Sequence, residues 1–305
     1  MMNNFIFENK TKVYFGKGGV KEYLGGLLAN FGETVMLAYG GGSIKRNGVY
    51  DEIMGILNAA GKRIVEFSGI MSNPTYAKVQ EGAKLARENH VDLILAVGGG
   101  SVSDCCKVIS GAFDTLSHAM ETYFGKPDEN NLSDDINEAA MRSIIRNSRI
   151  LLTDPENYDA RSELAWASAM AENGVLKIGK VTDFQAHQIE HQLGAYTNCN
   201  HGAGLAVIHP VLYRHIYKSG TARFTRWAQN VWGIAPKGSD EETAAAGIDA
   251  LAAFIKEIGL PTSFADLGIP ADTDFRAIAD STNVTAGCCK KLTHDEIYEI
   301  LQECL

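Results

Sequence analysis

Thr34-Val35-Met36-Leu37-Ala38-Tyr39-Gly40-Gly41-Gly42-Ser43 reads as a short apolar strand running straight into a glycine turn. β-Branched and large apolar side chains suit a pleated, buried surface, and the glycines end it because no Cβ restricts the backbone there. The pattern returns at Leu93-Ile94-Leu95-Ala96-Val97-Gly98-Gly99-Gly100-Ser101, which predicts a second buried strand with its own glycine turn. Between the two lie a helix over roughly Tyr50 to Ala60, a strand over Arg63 to Phe67 and an amphipathic helix over Thr75 to Asn89. Such alternation is that of β-α-β units, hence of a parallel sheet with ligand loops at the carboxyl ends of its strands.

Beyond about Ile109 the pattern changes. Ile136 to Leu152, Arg161 to Leu176 and Asp240 to Ile258 carry apolar residues at helical spacing, and strand candidates are few. The predicted fold class is therefore α/β: a nucleotide-binding lobe with a parallel sheet over residues 1–110, then an all-helical lobe over 111–305. A chain of 305 residues, 45% of them hydrophobic, can bury cores of that size.

The formal net charge of -9 argues against a nucleic-acid partner or an anionic membrane surface, since both require clustered Lys and Arg. No apolar stretch approaches the ~20 residues of a membrane span, and Met1-Met2-Asn3-Asn4-Phe5 lacks a basic start followed by an apolar run. The expected compartment is the cytoplasm. Six cysteines without C-x2-C spacing read as reduced thiols.

A Gly-Gly-Gly-Ser turn after a buried strand lets backbone N–H groups approach a phosphate, to which a following helix adds its positive end. The alternative is a tight turn with no ligand. The G-x-G-x-x-G fingerprint is absent, so it is the pair of loops that points to a dinucleotide. Asp104, three residues after Ser101, suits either a first-turn carboxylate or a ligand contact. Lys45 and Arg46, just beyond the first loop, suit either an added ribose phosphate or a simple solvated surface, and no acidic residue follows the first strand to hold ribose hydroxyls; the expected cofactor is NADP(H) rather than NAD(H).

Asp114-Thr115-Leu116-Ser117-His118 sets a carboxylate and an imidazole four residues apart, on one face of a helix. Asp183 to His191 offers a second helical set, with His187 and His191 four apart, and His201 follows beside small residues. One carboxylate with three imidazoles suits Fe(II) or Zn(II) and is too rich in nitrogen for calcium or magnesium. The remaining histidines, His90, His209, His215 and His294, are read as structural or exposed.

With these residues in view the chain resembles the iron-dependent (group III) alcohol dehydrogenases, within them the butanol dehydrogenase branch. Val13-Tyr14-Phe15-Gly16-Lys17-Gly18, Tyr39 to Lys45, Asn73-Pro74-Thr75, Gly98 to Val102, Asp114 to His118 with Glu121, and His187 to His201 carry the likeness. It implies a dehydroquinate synthase-like fold, a metal held by Asp114, His118, His187 and His201, and a cofactor touching Gly40, Gly41, Ser43, Asn73, Gly99, Gly100 and Ser101. His191 would lie in the substrate cleft and relay a proton. The implied reaction interconverts a small alcohol and an aldehyde. A homodimer paired through the strand-like stretches Asn4 to Asn9 and Lys12 to Phe15 is implied as well; an intramolecular hairpin fits those stretches equally.

One departure stands out. Relatives in that family carry several dozen residues between the helix after the second glycine loop and the D-x3-H helix, whereas here Lys107-Val108-Ile109-Ser110 runs straight into Gly111-Ala112-Phe113-Asp114. Two functional readings follow, an alcohol dehydrogenase or aldehyde reductase and a catalytically silent metal- or nucleotide-binding remnant.

Overall fold

A computed structural model of the protein describes residues 12–70, 76–97, 105–126, 129–182, 184–285 and 289–305. The side chains of 43, 76, 77, 79 and 105–110 lie outside that description. The chain divides into two compact units at Lys107/Val108.

The first unit runs α1 (Gly19–Leu28), β1 (Thr34–Tyr39), α2 (Ser43–Arg46), α3 (Val49–Ala59), β2 (Arg63–Phe67), α4 (Tyr76–Glu88) and β3 (Leu93–Val97). Among the described residues its sheet is parallel with order β2-β1-β3. Every residue of β1 is buried. The pleat sends Val35, Leu37 and Tyr39 into one core with Leu28, Ile53 and Leu57, and Met36 and Ala38 into the other with Phe67 and Leu85. β3 has the expected bounds but is not the buried strand that its apolar run predicts. Among the described residues it pairs with β1 alone, and Ile94 is 60% exposed, as befits an edge strand with less cover than a central one.

Two further expectations need correction. Lys12 to Phe15 forms no strand; Val13, Tyr14 and Phe15 are exposed, and a β-branched and aromatic run does not make a strand without a ladder of backbone bonds. Asn4 to Asn9 lies outside the described residues. The helix entered from the first glycine loop is only the four-residue α2, since Gly48, at φ 82, breaks the chain before α3 begins.

From Val108 onward the chain consists of helices joined by loops, and among the described residues one isolated antiparallel bridge, Lys126 to Val181, is its strand-like pairing. It contains most of α5 (Cys105–Tyr123), then α6 (Leu132–Thr153), α7 (Tyr158–Glu172), α8 (Gln185–Thr197), α9 (His201–Ile216), α10 (Thr221–Asn230), α11 (Asp240–Glu257), α12 (Phe275–Ser281) and α13 (His294–Glu303). α6 starts a turn earlier than its apolar spacing suggests because Asn131 and Asp134 form a reciprocal capping box. α7 stops at Glu172, short of the predicted Leu176, because Asn173 and the left-handed Gly174 (φ 88) turn the chain into a 3-10 segment.

Where α10 meets α11 the packing leaves no room for a methyl group. A Cβ at Gly247 would sit 2.6 Å from Ala228 Cβ and 3.1 Å from its Cα, neither of which can rotate away. Gly247→Ala gains helix propensity of about 1 kcal/mol, yet overpacking of about 1–3 kcal/mol exceeds it. Thermal melting is expected to show a lower midpoint for Gly247→Ala and an unchanged or higher one for Gly55→Ala, an exposed position in α3 with nothing within 4 Å.

Candidate metal centre

Three helices converge. α5 contributes Asp114, His118 and Glu121, whose spacing places them on one face; α8 contributes His187, Glu190 and His191; His201 is the first residue of α9. The turn between α8 and α9 is short because Asn198 adopts the left-handed conformation at φ 54 and Asn200 caps α9 by accepting from Ala203 N at 3.1 Å. That turn folds His201 back toward His187.

Asp114 Oδ1 is buried and has no aligned hydrogen-bond donor. Around it stand His201 Nε2 at 3.4 Å, His187 Nε2 at 3.5 Å and His118 Nε2 at 3.6 Å, while the Nε2 atoms of His118 and His187 approach to 3.0 Å. The opposite nitrogen of each ring faces a carboxylate. His187 Nδ1 bonds Glu121, His201 Nδ1 bonds Glu190, and His118 Nδ1 lies 3.0 Å from Glu172, an ion-pair distance without hydrogen-bond alignment. Carboxylates at Nδ1 leave the Nε2 lone pairs directed at a common point.

The electrostatics are those of a site short of positive charge. Burial would raise the Asp114 pKa, but the His187 and His201 imidazoles outweigh it and hold the carboxyl well below the usual range. Burial likewise disfavours charged His187 and His201, yet Asp114 with Glu121, and Asp114 with Glu190, raise them to about 9 and about 10. His118 drops to about 4 through burial and the neighbouring His187 charge. A cation bound by Asp114 and the three Nε2 atoms would satisfy all four donors, so the residues present fit a divalent metal.

His191 is exposed at the rim. Its ring stacks on His201 at 5.4 Å between centroids, and burial together with the His201 charge lowers its pKa. Glu190, His191 and His201 form a second possible donor set, but Glu190 is already committed to His201 Nδ1.

From the sequence, Glu121 enters only within the family likeness, and Glu121, Glu190 and Glu172 receive no role at the site. Glu121 lies three residues after His118, and Glu190 three after His187, so helical spacing could have flagged both. Glu121 also accepts from Ala186 N at 2.6 Å and His187 N at 3.3 Å, and thereby caps α8, whose preceding residue Phe184 is left-handed at φ 57 and makes no side-chain cap. That backbone is costly for an aromatic residue. It places the Phe184 ring edge-on to His118 and His187, at 5.3 and 5.1 Å. Glu172, from the end of α7, had no spacing signal.

Of the expected cofactor residues, Gly40 and Gly41 lie in the turn after β1 and Ser43 opens α2. A Cβ at Gly40 would meet Ile70 O at 3.2 Å, and Gly42 at φ 92 requires glycine. Lys45 is engaged by Tyr50, whose ring centroid lies 4.4 Å from Nζ, and by Glu66 at 3.6 Å. Asn73, Gly99, Gly100, Ser101, Asp104 and Asp183 lie outside the described residues.

A parallel α/β unit followed by a helical unit that gathers one carboxylate and three imidazoles defines the class, an α/β protein with a candidate metal centre on its helices. Residues 108–305 match the C-terminal region of the Fe-containing alcohol dehydrogenase family, and residues 10–140 match iron-containing alcohol dehydrogenase. The chain belongs to the iron-containing alcohol dehydrogenase family, on its butanol dehydrogenase-like side. It is 30% identical to a probable NADH-dependent butanol dehydrogenase of Bacillus subtilis, covering 100% of both chains, and 27% identical to the NADPH-dependent aldehyde reductase YqhD of Escherichia coli, covering 88% and 90%. The NADH-dependent butanol dehydrogenase A of Thermotoga maritima superposes with a TM-score of 0.92 at 28% identity, covering 99% of each chain. Alignment with the Bacillus relative spans 389 positions against 305 residues here, so several dozen positions of that relative have no counterpart in this chain.

Proposed function

We propose that this alcohol/aldehyde oxidoreductase acts on small primary alcohols and aldehydes with a metal, Fe(II) or Zn(II), held by Asp114, His118, His187 and His201. The observation that carries the reading is the buried, unbonded Asp114 Oδ1 facing three imidazole Nε2 atoms. When bound, such an ion supplies Lewis acidity toward a substrate oxygen. The chain's own residues do the rest. Phe184 covers one side of the imidazole pair and limits water there. His191 at the rim, where partial shielding of its ring and the His201 charge lower its pKa and favour the neutral form, accepts the hydroxyl proton at a ring nitrogen and returns it in the reverse direction.

NADP(H) is the cofactor we assign, because no carboxylate occupies the Gly40 to Ser43 turn and Lys45 stands just past it. Glu66 beside Lys45 draws on the same charge, and relatives are named for both cofactors. The homodimer implied by the family likeness belongs to the same proposal. The several dozen missing positions favour one alternative, a chain that binds metal or nucleotide without turnover.

Metal-reconstituted protein assayed with butanal and either reduced cofactor separates the two. Metal-dependent oxidation, faster with NADPH than with NADH, is expected. Folded, metal-loaded protein that oxidises neither cofactor across a range of short aldehydes leaves only the silent reading.

A further inference from the structure

The three carboxylates behind the imidazoles are not equivalent. Glu172 is 51% exposed and misaligned with His118, so solvent screens it. Glu121 is buried but also caps α8, which makes any change there a change to the helix. Glu190 is 2% exposed and has no such backbone duty among the described hydrogen bonds; its carboxylate bonds His201 Nδ1 and accepts from Cys199 Sγ at 3.8 Å.

We propose that Glu190 is a positioning residue that sets the metal affinity of this centre, by holding the His201 ring with Nε2 toward Asp114 and by lending its charge to that imidazole. The inference rests on reading Asp114, His118, His187 and His201 as the metal centre. Two glycines make room for the carboxylate. A Cβ at Gly204 on α9 would lie 2.9 Å from Glu190 Cγ and 3.0 Å from Oε1, and one at Gly194 on α8 would lie 3.3 Å from Oε1. Glycine inside a helix lowers its stability, and burying a carboxylate is costly unless its charge is answered. An apolar side chain at this position would avoid burying a charge. The arrangement fits a demand for negative charge at His201 Nδ1, where a carboxylate fixes the ring orientation and makes Nε2 a stronger donor.

The test titrates metal-free protein with Co2+ against a chromophoric chelator and records the visible Co2+ spectrum. Glu190→Gln keeps the shape and removes the charge; it is expected to weaken Co2+ binding by about 10–100-fold and to change the spectrum, which a merely structural role would not do. Glu303→Gln removes the carboxylate 3.1 Å from His215, a histidine pair outside the centre, and is expected to bind as the parent does. Should Glu190→Gln fail to fold by circular dichroism, Gly204→Ala, which crowds Glu190 from the facing helix, is expected to weaken binding in its place. A folded Glu190→Gln protein with parental affinity and spectrum overturns the inference and leaves the metal centre standing. If the parent binds no Co2+, the metal-centre reading falls and this inference with it.

Discussion

Replacing His187 or His201 with Ala is expected to strip the protein of most of its bound metal, whereas His191→Ala keeps it and slows turnover. Each of the first two changes removes one of the three imidazole donors that face Asp114 Oδ1. The loss should exceed the about 10–100-fold typical of a partner that acts from behind a ligand. The rival donor set, Glu190, His191 and His201, makes the opposite prediction for His187 and His191. That set requires Glu190 to leave His201 Nδ1, with which it shares a buried bond, and leaves Asp114 Oδ1 unsatisfied. Metal analysis of the three variants after exhaustive dialysis decides: a His191→Ala protein without metal beside a His187→Ala protein that retains it reverses the assignment.

The parallel unit was legible from strand runs that end at glycines, and the bounds of β1, β2 and β3 match them. What the runs could not convey is neighbourhood. Leu93 to Val97 is as apolar as a central strand, yet its exposure depends on whether another strand lies beyond it, a property of the whole sheet. α1 escaped notice because three of its ten residues are glycine and only Leu28 is buried, so neither propensity nor periodicity marks it. At the metal centre, Asp114 with His118 and His187 with His191 announce themselves by helical spacing. Spacing alone does not tell His187 from His191, since both sit on α8; burial does, because the former faces Glu121 and the latter the rim. Glu172 reaches His118 from another helix, and no local pattern encodes such an approach.

Asp134→Ala is expected to be the most damaging single change to stability in the helical unit, at about 3–5 kcal/mol, the range for removing one partner of a buried ion pair. Asp134 lies between Lys180 Nζ at 2.5 Å and the Arg223 guanidinium at 2.8 and 3.1 Å, with all three side chains essentially buried. Both cations also donate to Tyr123 O, Lys180 at 3.1 Å and Arg223 at 3.0 Å, and so close the carboxyl end of α5, the helix that carries Asp114, His118 and Glu121. The same carboxylate accepts from Asn131 N at 3.0 Å in the box that starts α6. Without Asp134, Lys180 and Arg223 keep Tyr123 O, and Arg223 keeps Asn130 Oδ1 at 3.1 Å, but they lose the buried carboxylate that answers both charges in a medium of low dielectric, where repulsion is weakly screened. A double change, Asp134→Leu with Lys180→Met, removes one of those charges and is expected to recover part of the loss, since apolar replacement of buried ions is often neutral or better. Denaturant unfolding of the two variants checks the cause: a double variant no more stable than Asp134→Ala assigns the cost to the α6 cap and the lost carbonyl bond at α5 rather than to uncompensated charge.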